Sequence, residues 1–145
     1  MFFALLSPSK SQTFQLIDTT FNVGDSLIHN IYFDFNNTQI LSESKLFLDS
    51  MANLLIKFNS LKIEIGIHTS FIGNDHYNEK LSQKRAEQIK NYLVKKGVNQ
   101  SNLKGIGYGE KLPIISKASI DKVEKKEKIK LDSINNRHVF KIIDI

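Results

Sequence analysis

Between residues 61 and 67 the apolar and polar positions alternate without a break: Leu61, Ile63, Ile65 and Ile67 against Lys62, Glu64 and Gly66. A period of two puts each set on its own face, so this stretch predicts a half-buried β-strand. Ile31, Phe33 and Phe35 alternate in the same way with Tyr32 and Asp34 and predict a strand over 30–35. Between them, Phe47, Met51, Leu54, Leu55 and Phe58 recur with the spacing of one helical face, with Ser42 as the expected N-cap. A second helix is expected from Asp75–Asn78 to Lys96, with Ser82, Ala86, Ile89 and Leu93 as its buried stripe and Gly97 as its terminal glycine. The glycine-rich "NLKGIGYGEKLP" (102–113) suits a strand that ends in a tight turn, and "NRHVFKIIDI" (136–145) reads as a final strand, apolar enough to be central. Residues 114–135 show only faint helical spacing, through Ile120, Val123, Leu131 and Ile134, and predict a weak helix or a surface excursion. At the other end, 13–21 suits a short edge strand and 22–25 a turn. The order β-α-β-α-β-(α)-β predicts an α+β fold: a two-layer sandwich with helices on one face of a mixed four-stranded sheet.

Composition narrows the classes. A chain of 145 residues is the size of one domain, and its lack of cysteine excludes disulfides, thiolate metal sites and a thiol nucleophile. The net charge of +5 invites an anionic partner, yet the densest basic run, "KVEKKEKIK" (122–130), is interleaved with glutamate and reads as a solvated face. Nucleic acid is therefore not the expected partner. No apolar run approaches the ~20 residues that span a bilayer, so membrane association is expected only through a partner or a missing N-terminal segment. "MFFALLSPSKSQ" has an apolar patch followed by small residues before Gln12, and two readings stay open: the tail of an export signal, or an apolar terminus without order. The expected division is 1–11 as the export remnant, 12–27 as an N-terminal extension, and 28–145 as the domain.

The candidate chemistry begins with arginine. Arg85 and Arg137 are the only two among twenty basic residues, the rest being lysine. An arginine in such a chain is most easily explained where a planar bidentate fork is wanted, and carboxylate is the usual target. That target is either internal, an acid that ties loop to helix, or a ligand. Arg85 falls at the border of the second helix's buried stripe, with its head directed toward the preceding loop "HTSFIGND", where strand end and helix start collect polar groups. Thr69, Ser70 and Asn74 in that loop also suit plain turn and cap roles. Catalytic readings are poor. His29, His68, His76 and His138 lack metal-ligand spacing, no acid completes a triad with Ser70, and the scattered acids show no pairing. No enzyme activity, metal or cofactor is expected.

Taken together, several of these stretches resemble a known family. "HTSFIGNDHYNEKLSQKRAEQIKNYLVKKGV", "GIGYGEKLPI", "NNRHVF" and "NIYFDFNNTQILSES" are similar in motif and spacing to the OmpA-like C-terminal domains, which bind peptidoglycan, and the likeness covers residues 28–144. The resemblance implies a non-catalytic module that grips the diaminopimelate of the stem peptide, with a location in the periplasm at the outer membrane of a Gram-negative envelope. It implies Arg85 as the carboxylate clamp, Asn78 and Leu81 as supports, Asp34 and Asn36 as polar groups at the strand end, and Arg137 as a second cationic contact. Ser70 stands where the family has an aspartate. A neutral hydroxyl in place of a charge is worth roughly a tenfold loss for an ammonium ligand. His138 replaces the second arginine of the last strand, and the asparagine that follows the Gly-Glu-Pro turn is not recognisable in "PIISKAS". Other envelope proteins are further expected partners. The alternative implied by these departures is a degenerate relative that serves as a structural or protein-interaction module.

Overall fold

A computed structural model of the chain describes residues 21–34 and 37–145. Four strands, β1 (Ser26–Ile28), β2 (Lys62–His68), β3 (Leu103–Gly109) and β4 (Arg137–Asp144), form one mixed sheet in the order β1-β4-β2-β3. β4 runs antiparallel to both β1 and β2, while β2 and β3 are parallel. The helices are α1 (Ser42–Lys57), α2 (Asp75–Lys95), α3 (Lys117–Ile120) and α4 (Lys125–Ser133). This is the expected α+β sandwich, and the apolar C-terminal strand is indeed central. Among the described residues no helix is long and apolar enough to cross a membrane.

Side chains at the alternate positions explain the layers. Ile63, Ile65 and Ile67 of β2 and Phe140 and Ile142 of β4 are buried together with Leu48, Met51, Leu54 and Leu55 of α1 and Ala86, Ile89 and Leu93 of α2. α2 lies so close to β3 that a Cβ on Gly107 would strike the backbone of Ser82 and Gln83. Its polar side chains then close the exposed edge of β3: Gln83 accepts from Gly107 N–H and donates to Gly105 O, and Ser82 Oγ accepts from Gly109 N–H. An edge strand whose free groups are paired in this way is a poor template for other chains.

Two expectations are corrected. The strand expected over 30–35 is not in the sheet: Phe33 makes an isolated bridge to Ile40, and Asp34 N–H donates to Gln39 O, so the segment folds back on itself. Alternation reports a buried side and not a strand partner. Here Ile31 is buried in the core, while the half-buried Phe33 ring covers Arg85 and His138. The first strand is instead Ser26–Ile28, too short to display a period. Ser42 is the first helical residue and Leu41 the N-cap, because the serine that bonds the entering chain is Ser44, whose Oγ accepts from Tyr32 N–H. The 114–135 excursion forms two short helices. The edge strand expected over 13–21 lies, apart from Phe21, outside the described residues, as do the expected export remnant and Asn36.

Candidate functional site

The loop between β2 and α2 is held from both sides. Asn74 caps α2 by accepting from His76 and Tyr77 N–H, and Gly73 adopts a positive φ of 102° that a side chain would strain. Asn78, buried in the first turn of α2, donates its amide hydrogens to Ile72 O (3.0 Å), Ser70 O (3.4 Å) and Glu110 Oε2 (3.2 Å). From the opposite direction, both oxygens of Asp132 on α4 accept from Phe71 N–H, at 2.9 and 3.1 Å. Ser70 Oγ accepts weakly from Ile72 N–H at 3.4 Å.

Arg85 projects from α2 with its guanidinium 4.9 Å from the centroid of the Phe33 ring. Burial holds its pKa below the usual arginine value, while Tyr77 acts in the opposite sense. Among the described residues it makes no ion pair, and its buried Nε has no hydrogen-bond partner. Next to it lies His138, whose Nδ1 accepts from Ile31 N–H at 2.8 Å. Burial, followed by the charge of Arg85 and then those of His68 and His29, lowers the His138 pKa to about 3. The imidazole is therefore neutral and carries its proton on Nε2. His68, at the end of β2, stacks on Tyr108 (4.7 Å between centroids) and is depressed to about 4 by burial and by Arg137.

Three buried polar atoms are left over. Among the described residues, the buried side-chain nitrogens and oxygens without a partner are His68 Nδ1, Thr69 Oγ1 and Arg85 Nε. His68 and Thr69 close β2. Arg85 acts on His138, the cross-strand neighbour of Ile67. Native interiors satisfy most such atoms; Arg85 Nε lies on the helix-covered side of the sheet with His138, whereas His68 stacks on Tyr108 on the other side.

The structure brings Ser70 and Asn78 together at the loop–helix junction and sets Arg85 about two turns further along α2 beside Phe33, and it gives them different tasks: Asn78 spends its amide on the loop backbone. Leu81 lies one turn beyond Asn78 and is half-buried, and Asp34 sits in the fold-back beside Phe33, exposed. Arg137 is the cross-strand partner of His68 and points its fork at backbone carbonyls, donating to Asn135 O (3.1 Å) and Leu112 O (3.0 Å). Several working residues escaped sequence reasoning. Phe33 was read as strand core, and Asp132 and Asn135 lie in the Lys/Glu-rich run. Asn135, fully buried, accepts from Ile115 N–H and donates to Ile115 O. Its only signal was its neighbourhood, directly before the "NRHVF" strand.

Comparison with known proteins follows from this geometry. The model of the OmpA family matches residues 32–127. A peptidoglycan-associated lipoprotein of Buchnera aphidicola is 38% identical over 86 residues, covering 59% of this chain and 50% of that protein. Outer membrane porin F of Pseudomonas fluorescens is 36% identical over 90 residues, 62% of this chain and 28% of the porin. The chain therefore spans half or less of these relatives. Among solved structures, an outer membrane protein of Borrelia burgdorferi is 32% identical with a TM-score of 0.60, covering 86% of this chain and 92% of that one. The periplasmic domain of Helicobacter pylori MotB shares the fold, with a TM-score of 0.65 at 18% identity over 86% of this chain.

Proposed function

This chain belongs to the OmpA family, its relatives are proteins of the Gram-negative envelope, and on that premise we propose that it is a non-catalytic anchoring module that binds the stem peptide of peptidoglycan. The observation that carries the reading is Arg85, a half-buried cation that makes no ion pair among the described residues and whose Nε lacks a partner. Arg85 lies over the Phe33 ring and pairs with no acid among the described residues, so its fork is available to a ligand carboxylate. Diaminopimelate supplies one at the free end of its side chain. Asn78 and Asn74 pre-form the loop before the ligand arrives, which spares ordering cost on binding. Ser70 and Asp34 line the polar wall, with Leu81 and Asn36 contributing as the family pattern implies. Arg137 acts at one remove, bracing the turn beside His68 through Leu112 and Asn135. The module would fasten its parent protein, and through it the outer membrane or an envelope complex, to the wall.

Calorimetric titration with a diaminopimelate-containing stem peptide tests this. Wild type should bind, and Arg85→Ala should lose at least tenfold, in keeping with a charge-assisted bond of roughly 1.5–3 kcal/mol. Ser70→Asp should tighten binding about tenfold by adding the missing charge. A second reading, a family member that serves as an interaction module without a wall ligand, draws on Ser70 Oγ bonding inward and His138 standing neutral where a cation is expected. It predicts a wild type that neither binds the peptide nor sediments with purified sacculi.

A further inference from the structure

After β1 the chain stays attached to one residue of β4. His29 N–H donates to His138 O at 3.1 Å, one step beyond the Ile28–Val139 pair of the ladder. The next bond, from Ile31 N–H, goes to the side chain of the same residue, to Nδ1 at 2.8 Å. His138 shares the face of Phe140 and Ile142, under the helices, so this bond draws the chain out of the sheet toward α2. Two residues later the Phe33 ring meets the same imidazole at 73°, with centroids 5.9 Å apart, and its centroid lies 4.9 Å from the Arg85 guanidinium carbon. The fold-back is closed locally by Tyr32 N–H donating to Ser44 Oγ and by Leu41 N–H donating to Tyr32 O. His138 ties it to the sheet. A row of three side chains, His138, Phe33 and Arg85, therefore runs from β4 to α2.

We propose, resting on the stem-peptide reading above, that His138 is a positioning residue for the ligand site: it holds Ile31 and Phe33, and Phe33 holds the Arg85 guanidinium where a ligand carboxylate meets it. The task needs an acceptor. A neutral imidazole has one ring nitrogen free to accept, whereas lysine and arginine only donate and leucine does neither. A cation at this place would also repel Arg85. Arg85 pairs with no acid among the described residues, so the Phe33 ring is what restrains its long side chain before the ligand arrives. A side chain ordered in advance costs less affinity than one that the ligand must order.

The test uses the whole chain and two readouts. The first needs no ligand: the Nε–H resonance of Arg85, which the ring current of Phe33 displaces from the value of an exposed arginine. The chain has two arginines, so Arg85→Lys assigns the signal. His138→Leu, which keeps the bulk and removes the acceptor, should move it toward its position in Phe33→Leu. His138→Asn, which keeps an acceptor at the place of Nδ1, should leave it displaced. The second readout is titration calorimetry with the diaminopimelate-containing stem peptide. His138→Leu should weaken binding roughly five- to tenfold, and His138→Asn should stay within about twofold of wild type. The double variant His138→Leu, Phe33→Leu should bind no more weakly than Phe33→Leu alone, because the two act through one contact. Additive losses, equal weakening by His138→Asn and His138→Leu, or a His138→Leu that binds like wild type would overturn the positioning role and leave the stem-peptide reading intact. Should His138→Leu not fold, Phe33→Leu decides: it leaves the Ile31 bond in place and must by itself weaken binding five- to tenfold, and unchanged affinity overturns the proposal. Failure of wild type to bind the peptide, or indifference of its affinity to Arg85→Ala, would instead remove the stem-peptide reading and this role with it.

Discussion

At the scale of single residues, Arg85 and His138 show how neighbours define a side chain. The guanidinium carbon lies 4.9 Å from the centroid of the Phe33 ring, within range of a cation–π contact. Lysine would keep the charge but lose the plate and the fork. Arg85→Lys should therefore bind the stem peptide about tenfold more weakly while melting within a few degrees of wild type; unchanged affinity in the titration would show that charge alone matters. His138 sits beside that cation and remains neutral, fastened through Ile31 N–H. The rarity of arginine marked Arg85 in the sequence. Nothing local marked Phe33 as its lid, because the ring's partners come from α2 and β4.

At the scale of elements, two contacts decide where α2 and the α3–α4 excursion sit. Gly107 lets α2 lie on β3 at backbone distance. Gly107→Ala should force the two apart and cost about 3 kcal/mol, the upper range for overpacking; a denaturant midpoint like that of wild type would contradict the close approach. Asn135 ties the chain before α3 to the chain before β4 through its two bonds to Ile115. Asn135→Ala leaves both groups of Ile115 without this partner and should cost roughly 2–3 kcal/mol, with faster amide exchange over 112–120 as the local readout. Stability unchanged by the substitution would mean that the excursion is not anchored there. Helices α1 and α2 were legible because their stripes run over several turns. α3 and α4 were not, since short helices depend on single buried residues such as Ile120 and Asp132 more than on a periodic face.

At the scale of the molecule, the two buried histidines couple the site to folding. Their folded-state values, about 4 for His68 and about 3 for His138, lie below the ordinary 6.5, so the fold favours the neutral form. That contribution is complete above pH 6.5 and is lost as the pH falls toward the folded values, because the unfolded chain takes up protons that the native one refuses. Between pH 7 and pH 5 each histidine should cost about 2 kcal/mol. Urea melts at the two values should differ by roughly twice that, and His68→Gln should remove about half of the difference. A flat profile over this range would show that neither imidazole is held neutral. The exposed pairs Lys62–Asp144 and Lys111–Glu79 should add little on this scale.

The sequence by itself determined the α+β class, the two long helices, strand β2 and the centrality of β4, because periodicity and burial are local consequences of side-chain order. It also singled out Arg85 and the loop before it, because a residue type used twice in a lysine-rich chain is informative without any structure. Only the tertiary structure decided that Phe33 and Asp34 fold back onto Ile40 and Gln39 beside Arg85, that Arg137 braces a turn, and that Asp132 reaches Phe71 from a distant helix. Each of these rests on a partner far away in sequence, and which partner a group meets is set by the packing of the sheet and helices, to which the local pattern of residues carries no reference.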